Sequence, residues 1–431
     1  MRGLVLTAGG ARGAYQAGVL RRLGEIPALC NRPQPFAVVS GASAGAINGS
    51  ILAARGARFG EATREIARIW SELRVGDVFR TDALALARSA ASLAFDFTLG
   101  ARLGHTRTRG LFDTRPLERV LARVFPPRGI AEAIRQGRVC AVAVTATSYH
   151  SGRSFTFVQG RAGHPVWAKR RRLVLPVTLT HRHIMASSAI PIVFPPVRVR
   201  SQAGDLWFGD GGLRLVAPMS PAIRLGATRV LAVGVRSSRA ADALAREESG
   251  SAPAREDEPP RLPCPPLAQV CGVFLNAIFL DHLDADLDHL ARMNEIVAGA
   301  APARANGAAG PAAAEPIRRI EPLVVSPSQD LALVAQRFAH RMPRVIRRLM
   351  EGLGTPDAQS ADLMSYLLFD GAYLRALVEI GHADASERID ELEAFLRSEP
   401  AAAAAAPRAR MGPAQRRRSE ADGQRATRGT H

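Results

Sequence analysis

Lysine is almost missing from this sequence. Of 57 basic residues Lys169 is the only lysine, and with 39 acidic residues the formal net charge is +18. Such a charge suits an anionic partner, and composition alone does not choose between nucleic acid and a phospholipid surface. Near-exclusive arginine reflects base composition more than phosphate recognition. Cysteine is scarce too: Cys30, Cys140, Cys264 and Cys271 lack the close pairs of a zinc site and the density of a disulfide framework. Reduced thiols in a cytoplasm are the expectation. No apolar run reaches the roughly 20 residues that span a bilayer. The N-terminus enters a strand pattern at once, without the basic and apolar regions of a signal peptide. What is present, 431 residues of which 47% are hydrophobic, suffices for one large α/β domain or two smaller ones.

Gly3 to Thr7 is a short apolar run ending in Gly9, Gly10, Ala11, Arg12 and Gly13, after which Ala14 to Leu23 has helical spacing. The pattern repeats: Phe36 to Ser40 reads as a strand, Gly41 to Gly45 as a turn, and Ala46 to Ala54 as a helix. Two strand-loop-helix units in succession predict a mainly parallel sheet covered by helices. Val139 to Thr145, Phe155 to Val158, Leu206 to Phe208 and Val230 to Val235 are further strand candidates. The expected organisation is a catalytic domain over 1–236, a linker over 237–262 and a mainly helical region over 263–397 with a low-complexity insert at 299–315. A basic tail over 398–431 completes it. Asp77 to Leu111 has an apolar helical face, which suits an ordinary packed helix or a lid that touches a membrane.

"SGASAGAINGS" (40–50) places Ser43 between Gly41 and Gly45 after a strand, the setting in which a sharp turn exposes a hydroxyl at the strand's carboxyl end. A close strand-helix contact between small residues is the other reading of that stretch. Gly9, Gly10 and Ala11 form a nest of backbone N–H groups at the end of the first strand, on the same sheet edge, where an oxyanion would be held. The competing reading is a dinucleotide fingerprint, against which Ala8 occupies its first glycine position and no acidic residue closes a second strand about 20 residues later. For a base, Asp210 in "WFGDGGLRLVAP" stands before Gly211 and Gly212, either as a bare carboxylate or as part of an Asp-Gly turn. A triad would need a histidine, for which His181 and His183 are the candidates. "DHLDADLDHL", with Asp281, His282, Asp284, Asp288 and His289, reads as the solvated face of an amphipathic helix rather than a metal site.

Four blocks, "LTAGGARGAYQAGVL", "SGASAGAINGS", "MASSAIPIVFPPV" and "DGGLRLVAPMSPAIRLGATRVLAVGV", occur in the order and at roughly the distances of the patatin-like phospholipase family, which the chain resembles over most of 3–236. "LFDGAYLRALVEIGHADA" and "NAIFLDHLDADLDHLARMN" look like the carboxyl-terminal region of its bacterial members. The resemblance implies a three-layer α/β/α fold with a mainly parallel sheet. It also implies a dyad of Ser43 as nucleophile and Asp210 as general base, with Gly9, Gly10, Ala11 and Arg12 as the oxyanion loop, Gly41 and Gly45 as the elbow, and Gly211 and Gly212 completing the Asp-Gly-Gly motif. No cofactor or metal is needed. Arg12, at the family's basic loop position, either orients the loop or meets a lipid phosphate. Ala8 replaces the first of the loop glycines, which is tolerable if its φ stays negative.

The implied activity is hydrolysis of fatty-acyl esters of glycerolipids, as a phospholipase A or lysophospholipase, by a cytoplasmic protein in peripheral contact with membranes and with no nucleic-acid partner. A non-catalytic membrane scaffold that retains the fold, and a serine esterase or thioesterase for soluble acyl substrates, are the alternatives.

Overall fold

Alternation along the strands decides which helices cover which face. Leu4, Leu6, Val39, Val142, Val144, Leu231 and Val233 point into one apolar cluster, while Val5, Val38, Ala141, Ala143, Val230 and Ala232 point into a second on the opposite face. Strands so apolar on both faces need helices on both. The computed structural model describes residues 1–80, 82, 91, 95, 110–169, 172–201, 204–237, 267–279, 282–299, 318–344, 346–348 and 361–397. Most of the segment Asp77 to Leu111, and 238–262, 300–315 and 398–431, lie outside them.

Among the described residues ten strands form one sheet: β1 (Arg2–Leu6), β2 (Val38–Ala42), β3 (Ala141–Ser148), β4 (Ser154–Gly160), β5 (Ala168–Lys169), β6 (Arg172–Pro176), β7 (Val197–Ser201), β8 (Gly204–Gly209), β9 (Arg229–Val233) and β10 (Glu321–Val325). Their order is β10-β9-β1-β2-β3-β4-β6-β5, with the β7-β8 hairpin joined to β3. From β10 to β3 every neighbour is parallel. Helices α1 (Gly13–Gly24), α2 (Ala44–Arg55) and α3 (Phe59–Glu72) return the chain along the first face, followed by α4 (Val75–Val78), α5 (Arg115–Val124), α6 (Gly129–Arg135) and α7 (His181–Ser187). The second face is covered by α8 (Ser220–Arg224) and, after α9 (Leu267–Phe279), by α10 (His282–Gly299). The last described helices are α11 (Leu331–Arg337), α12 (Ala361–Leu367), α13 (Gly371–Glu387) and α14 (Ile389–Arg397). The result is the three-layer, mainly parallel α/β/α arrangement that the strand-loop-helix units predict.

Residues 1–396 form one compact unit. Their carboxyl-terminal part shares the sheet and core of the first 236 residues. β10 extends the parallel ladder beside β9, Glu321 opposite Arg229, and α13 lies directly on α1. A Cβ on Gly18 would come within 2.0 Å of the Val378 carbonyl, and one on Gly381 within 2.1 Å of the Tyr15 carbonyl. The described residues of "NAIFLDHLDADLDHLARMN" lie in α9 and α10. On α10, Asp284, Asp288 and His289 are exposed, whereas Asp286 is buried and accepts from Met219 N at 2.8 Å. Among the described residues no group of three or more His, Cys, Asp or Glu is placed to hold a metal ion, and no helix is long and apolar enough to cross a membrane.

Candidate active site

Parallel strands deliver their carboxyl ends to one rim. β1 ends there in the glycine loop and β2 in Ser43. β2 runs through Gly41 to Ala42 and α2 begins at Ala44, so the expected five-residue turn contracts to Ser43 alone, at φ 54 and ψ −125. A non-glycine residue at positive φ costs on the order of 1–3 kcal/mol and persists only where its surroundings enforce it. Here they do. The Ser43 N–H donates to Ser187 Oγ at 2.9 Å, and that hydroxyl donates to the Thr145 carbonyl at 2.5 Å. Gly41 and Gly45 are needed sterically: a Cβ on Gly41 would lie 2.3 Å from the Gly45 carbonyl oxygen, and one on Gly45 2.1 Å from that of Leu6.

β8 runs antiparallel to β3 but pairs only with its end, Thr147 opposite Gly209 and Ser148 opposite Phe208. Its carboxyl end therefore carries Asp210 to the same rim, although Asp210 follows Ser43 by a long stretch of chain. The Asp210 backbone is held on both sides, its N–H by the Ala189 carbonyl at 2.8 Å and its carbonyl by Thr147 Oγ1 at 2.9 Å. Oδ1 accepts from Gly212 N at 2.8 Å. Oδ2 is buried without a hydrogen-bond partner, and Ser43 is near enough to act on the carboxyl's pKa without closing a full hydrogen bond. Burial pushes that pKa up to about 7, against the lowering by Ser43 and the Gly212 N–H. A Cβ on Gly211 would strike the Thr145 carbonyl at 2.1 Å, so this turn too closes against β3.

The glycine loop is clamped from the far end of the chain. Gly10 sits at φ +54, and a Cβ there would be 2.5 Å from the Tyr366 carbonyl oxygen of α12. Ala8 is buried and outside the positive-φ set, so its methyl group is accommodated without strain. The Arg12 N–H is spent on the Gly9 carbonyl at 3.0 Å, so that Gly9, Gly10 and Ala11 are the loop residues whose N–H groups are candidate donors. Its side chain is buried and turned away from the rim: Nη2 pairs with Asp362 at 2.8 Å, Nε donates to Ser365 Oγ at 2.8 Å, and the guanidinium lies 4.4 Å over the Tyr366 ring. Of its two expected roles the structure supports orientation of the loop. Asp362→Ala should therefore leave a buried guanidinium without its counter-charge and destabilise the protein by about 1–3 kcal/mol, read as a lower urea midpoint at unchanged m-value.

The histidines do not join Ser43. His183 is buried, its Nδ1 paired with Thr180 at 2.9 Å and its ring against Phe157; burial, with His181, lowers its pKa to about 4. His181 approaches Glu118 at 3.9 Å. Sequence reasoning missed Ser187 and Thr147, which hold the two key residues from behind, and the buried network of Gln16, Asn48 and Trp70. In that network Gln16 Nε2 donates to the Thr7 carbonyl at 2.9 Å, Asn48 Nδ2 to Gln16 Oε1 at 3.1 Å and Trp70 Nε1 to Asn48 Oδ1 at 2.6 Å. The available signal was a lone amide in each of two otherwise small or apolar helix starts. Beside Ser43 opens a narrow cavity of about 40 Å³ between α2, α3 and α5, whose walls, apart from Gly10, Ser43 and Ser188, are apolar, with Ile47, Trp70 and Leu121 among them.

The family model described as Patatin-like phospholipase matches residues 4–223. A comparison with curated proteins finds no match. Among solved structures the chain is similar to VipD from Legionella pneumophila, with 13% identity over 90% of this chain and 67% of that one and a TM-score of 0.32. It is similar to human GIVD cytosolic phospholipase A2 in complex with a methyl gamma-linolenyl fluorophosphonate inhibitor, with 13% identity over 92% of this chain and a TM-score of 0.35. This chain spans 59% of that human chain's length. It is also similar to the ExoU–SpcU complex of Pseudomonas aeruginosa, with 14% identity over 85% of this chain and 74% of that one and a TM-score of 0.21. Likenesses at this level speak to neither substrate nor mechanism.

Proposed function

Because this chain belongs to the patatin-like phospholipase family, we propose that it is a serine acyl hydrolase acting on fatty-acyl esters of glycerolipids, phospholipids and lysophospholipids foremost. The observation that carries the reading is the meeting, at one rim, of a strained Ser43, a buried Asp210 carboxyl with an unpartnered oxygen, and an apolar cavity. In the proposed reaction the Asp210 carboxylate takes the Ser43 hydroxyl proton as Oγ bonds to the ester carbonyl carbon. The negative charge that moves onto the carbonyl oxygen faces the N–H groups of Gly9, Gly10 and Ala11 at the start of the helical turn. Collapse breaks the ester bond, and Asp210 returns the proton to the departing alcohol. Water, deprotonated by the same carboxylate, then attacks the acyl-serine; as the Ser43 Oγ–acyl bond breaks, Asp210 returns the proton to Oγ and the fatty acid is freed. The cavity between α2, α3 and α5, too small at about 40 Å³ for a whole acyl chain, receives its first carbons.

Fatty-acid release from mixed phospholipid vesicles, with a soluble short-chain ester in parallel, tests this reading with wild type beside Ser43→Ala and Asp210→Asn. Release by wild type with both variants silent supports it; equal behaviour of all three makes Ser43 a packing residue and leaves a scaffold. Gly10→Ala is expected to lower turnover by about 10²–10³ through a displaced donor, with a stability loss of about 1–3 kcal/mol from a side chain at positive φ. Steady-state kinetics and a denaturation curve on one preparation separate the two effects.

A further inference from the structure

Helix α9, LAQVCGVFLNAIF, contains no charged residue in its 13 positions. One stripe of it faces the protein. Gly272 lies against α12, where an added Cβ would be 3.1 Å from Asp362 Cβ, and Asn276 Oδ1 accepts from the Tyr366 hydroxyl at 2.9 Å. Four residues apart, they define the inward side. The outward side is apolar as well: Val270 is 49% exposed, Val273 61% and Phe274 55%, and Ala277 continues the line. Spacings of three and four make this one continuous stripe along the helix. An ordinary surface helix turns such a stripe inward and charges toward water, so its reversal marks a contact surface.

Its position ties that surface to Ser43 and Asp210. α9 packs on α12, whose Tyr366 carbonyl lies against Gly10, and on the Gly211–Arg214 turn that follows Asp210. On another border of the same site Ile192 is 75% exposed and held at φ 69, in the left-handed region that a β-branched residue rarely enters. Its neighbours Ile190 and Phe194 line the Ser43 cavity. The chain thus holds a strained isoleucine toward water, its carbonyl accepting from the Leu111 N–H at 2.8 Å.

We propose that the outward stripe of α9, together with Ile192, docks on an anionic lipid surface and sets the Ser43 site against the layer that holds its substrate. The inference deepens the proposed function and rests on it. Charge selects the occupant. α9 brings no acidic group, exposed Arg214 ends the turn beneath it, and a net charge of +18 draws the molecule to anionic headgroups while opposing a second copy of itself. A charge-free helix of this length then lies in the plane of the interface, its stripe among the upper acyl carbons.

Sedimentation with vesicles of equal parts phosphatidylcholine and phosphatidylglycerol tests the docking in Ser43→Ala protein, so that binding is read without turnover and fails independently of the hydrolase reading. The double substitution Val273→Asp, Phe274→Asp should lower the vesicle partition coefficient at least tenfold, and Arg214→Gln about fivefold. A thermal melt shows that the variants fold. As a second readout, Phe274→Trp should gain emission that brominated lipid quenches, measured as the difference from the parent protein. A partition unchanged by the double substitution overturns the proposal, as does an added emission in the Phe274→Trp protein that is indifferent to brominated lipid. So does a dimer, seen by sedimentation equilibrium, that the same two aspartate substitutions dissolve.

Discussion

Ser43→Ala is expected to reduce fatty-acid release from phospholipid by about 10⁴–10⁶-fold, the scale on which removal of a nucleophile silences other serine hydrolases. The loss should appear in turnover, since the loop donors are untouched and the cavity loses only the Ser43 hydroxyl from its wall, and substrate binding should change little. Stability should stay within about 0.5 kcal/mol of wild type. Alanine inherits the same φ of 54, and the backbone tie to Ser187 Oγ does not involve the side chain that is removed. The variant also removes a hydroxyl that lowers the Asp210 pKa, so that carboxyl should titrate higher still, observable by NMR. A variant that keeps the wild-type rate would sink the nucleophile assignment outright.

Asp210→Asn is expected to cost a comparable factor in rate, and to do so while stabilising the fold at alkaline pH. The reason is the direction of the pKa shift. Burial raises Asp210 from 3.8 to about 7, so the folded state binds this proton more tightly than the unfolded chain. Its contribution to stability is complete below pH 3.8, and is lost as the pH rises through about 7, where a charge must be carried inside. Asparagine carries none. The difference in melting temperature between variant and wild type should therefore grow across this window and level off above it. Activity runs the other way: a general base works ionised, so the wild-type rate should climb through about pH 7 and reach a plateau. A rate flat from pH 5 to 9, both limits chosen as about two units either side of that value, would argue that Asp210 is not the base. The site is thus one where the protein holds an ionisable group at a cost to the fold.

Much of the architecture was legible because its code is local. The apolar runs at Gly3 to Thr7 and Phe36 to Ser40, each followed by glycines and a helix, predicted β1-α1 and β2-α2. Boundaries shifted by two residues at β2 because Gly41 and Ala42 stay in the ladder, opposite Val144 and Thr145. Gly-x-Ser-x-Gly was legible for the same reason: the carbonyl contacts that forbid side chains at Gly41 and Gly45 come from the elbow itself and the adjacent β1. Asp210 was visible as a candidate, but its choice over His181 and His183 came from the family resemblance, since a turn aspartate and a catalytic one share the same neighbours in sequence.

By itself, then, the sequence determined the strand-loop-helix order, the elbow, the glycine loop and the family, all of which depend on side-chain size and hydropathy among near neighbours. Only the tertiary structure decided what these are held by. Ser187 reaches Ser43 across 144 positions and Asp362 reaches Arg12 across 350. It alone chose between Arg12 as a loop-orienting and as a phosphate-binding arginine, placed the carboxyl-terminal α12 against Gly10, and left the apolar stripe of α9 facing water. Such pairings depend on which remote segments pack together, and a hydroxyl, a carboxylate or a valine stripe carries no local mark of the partner it will meet.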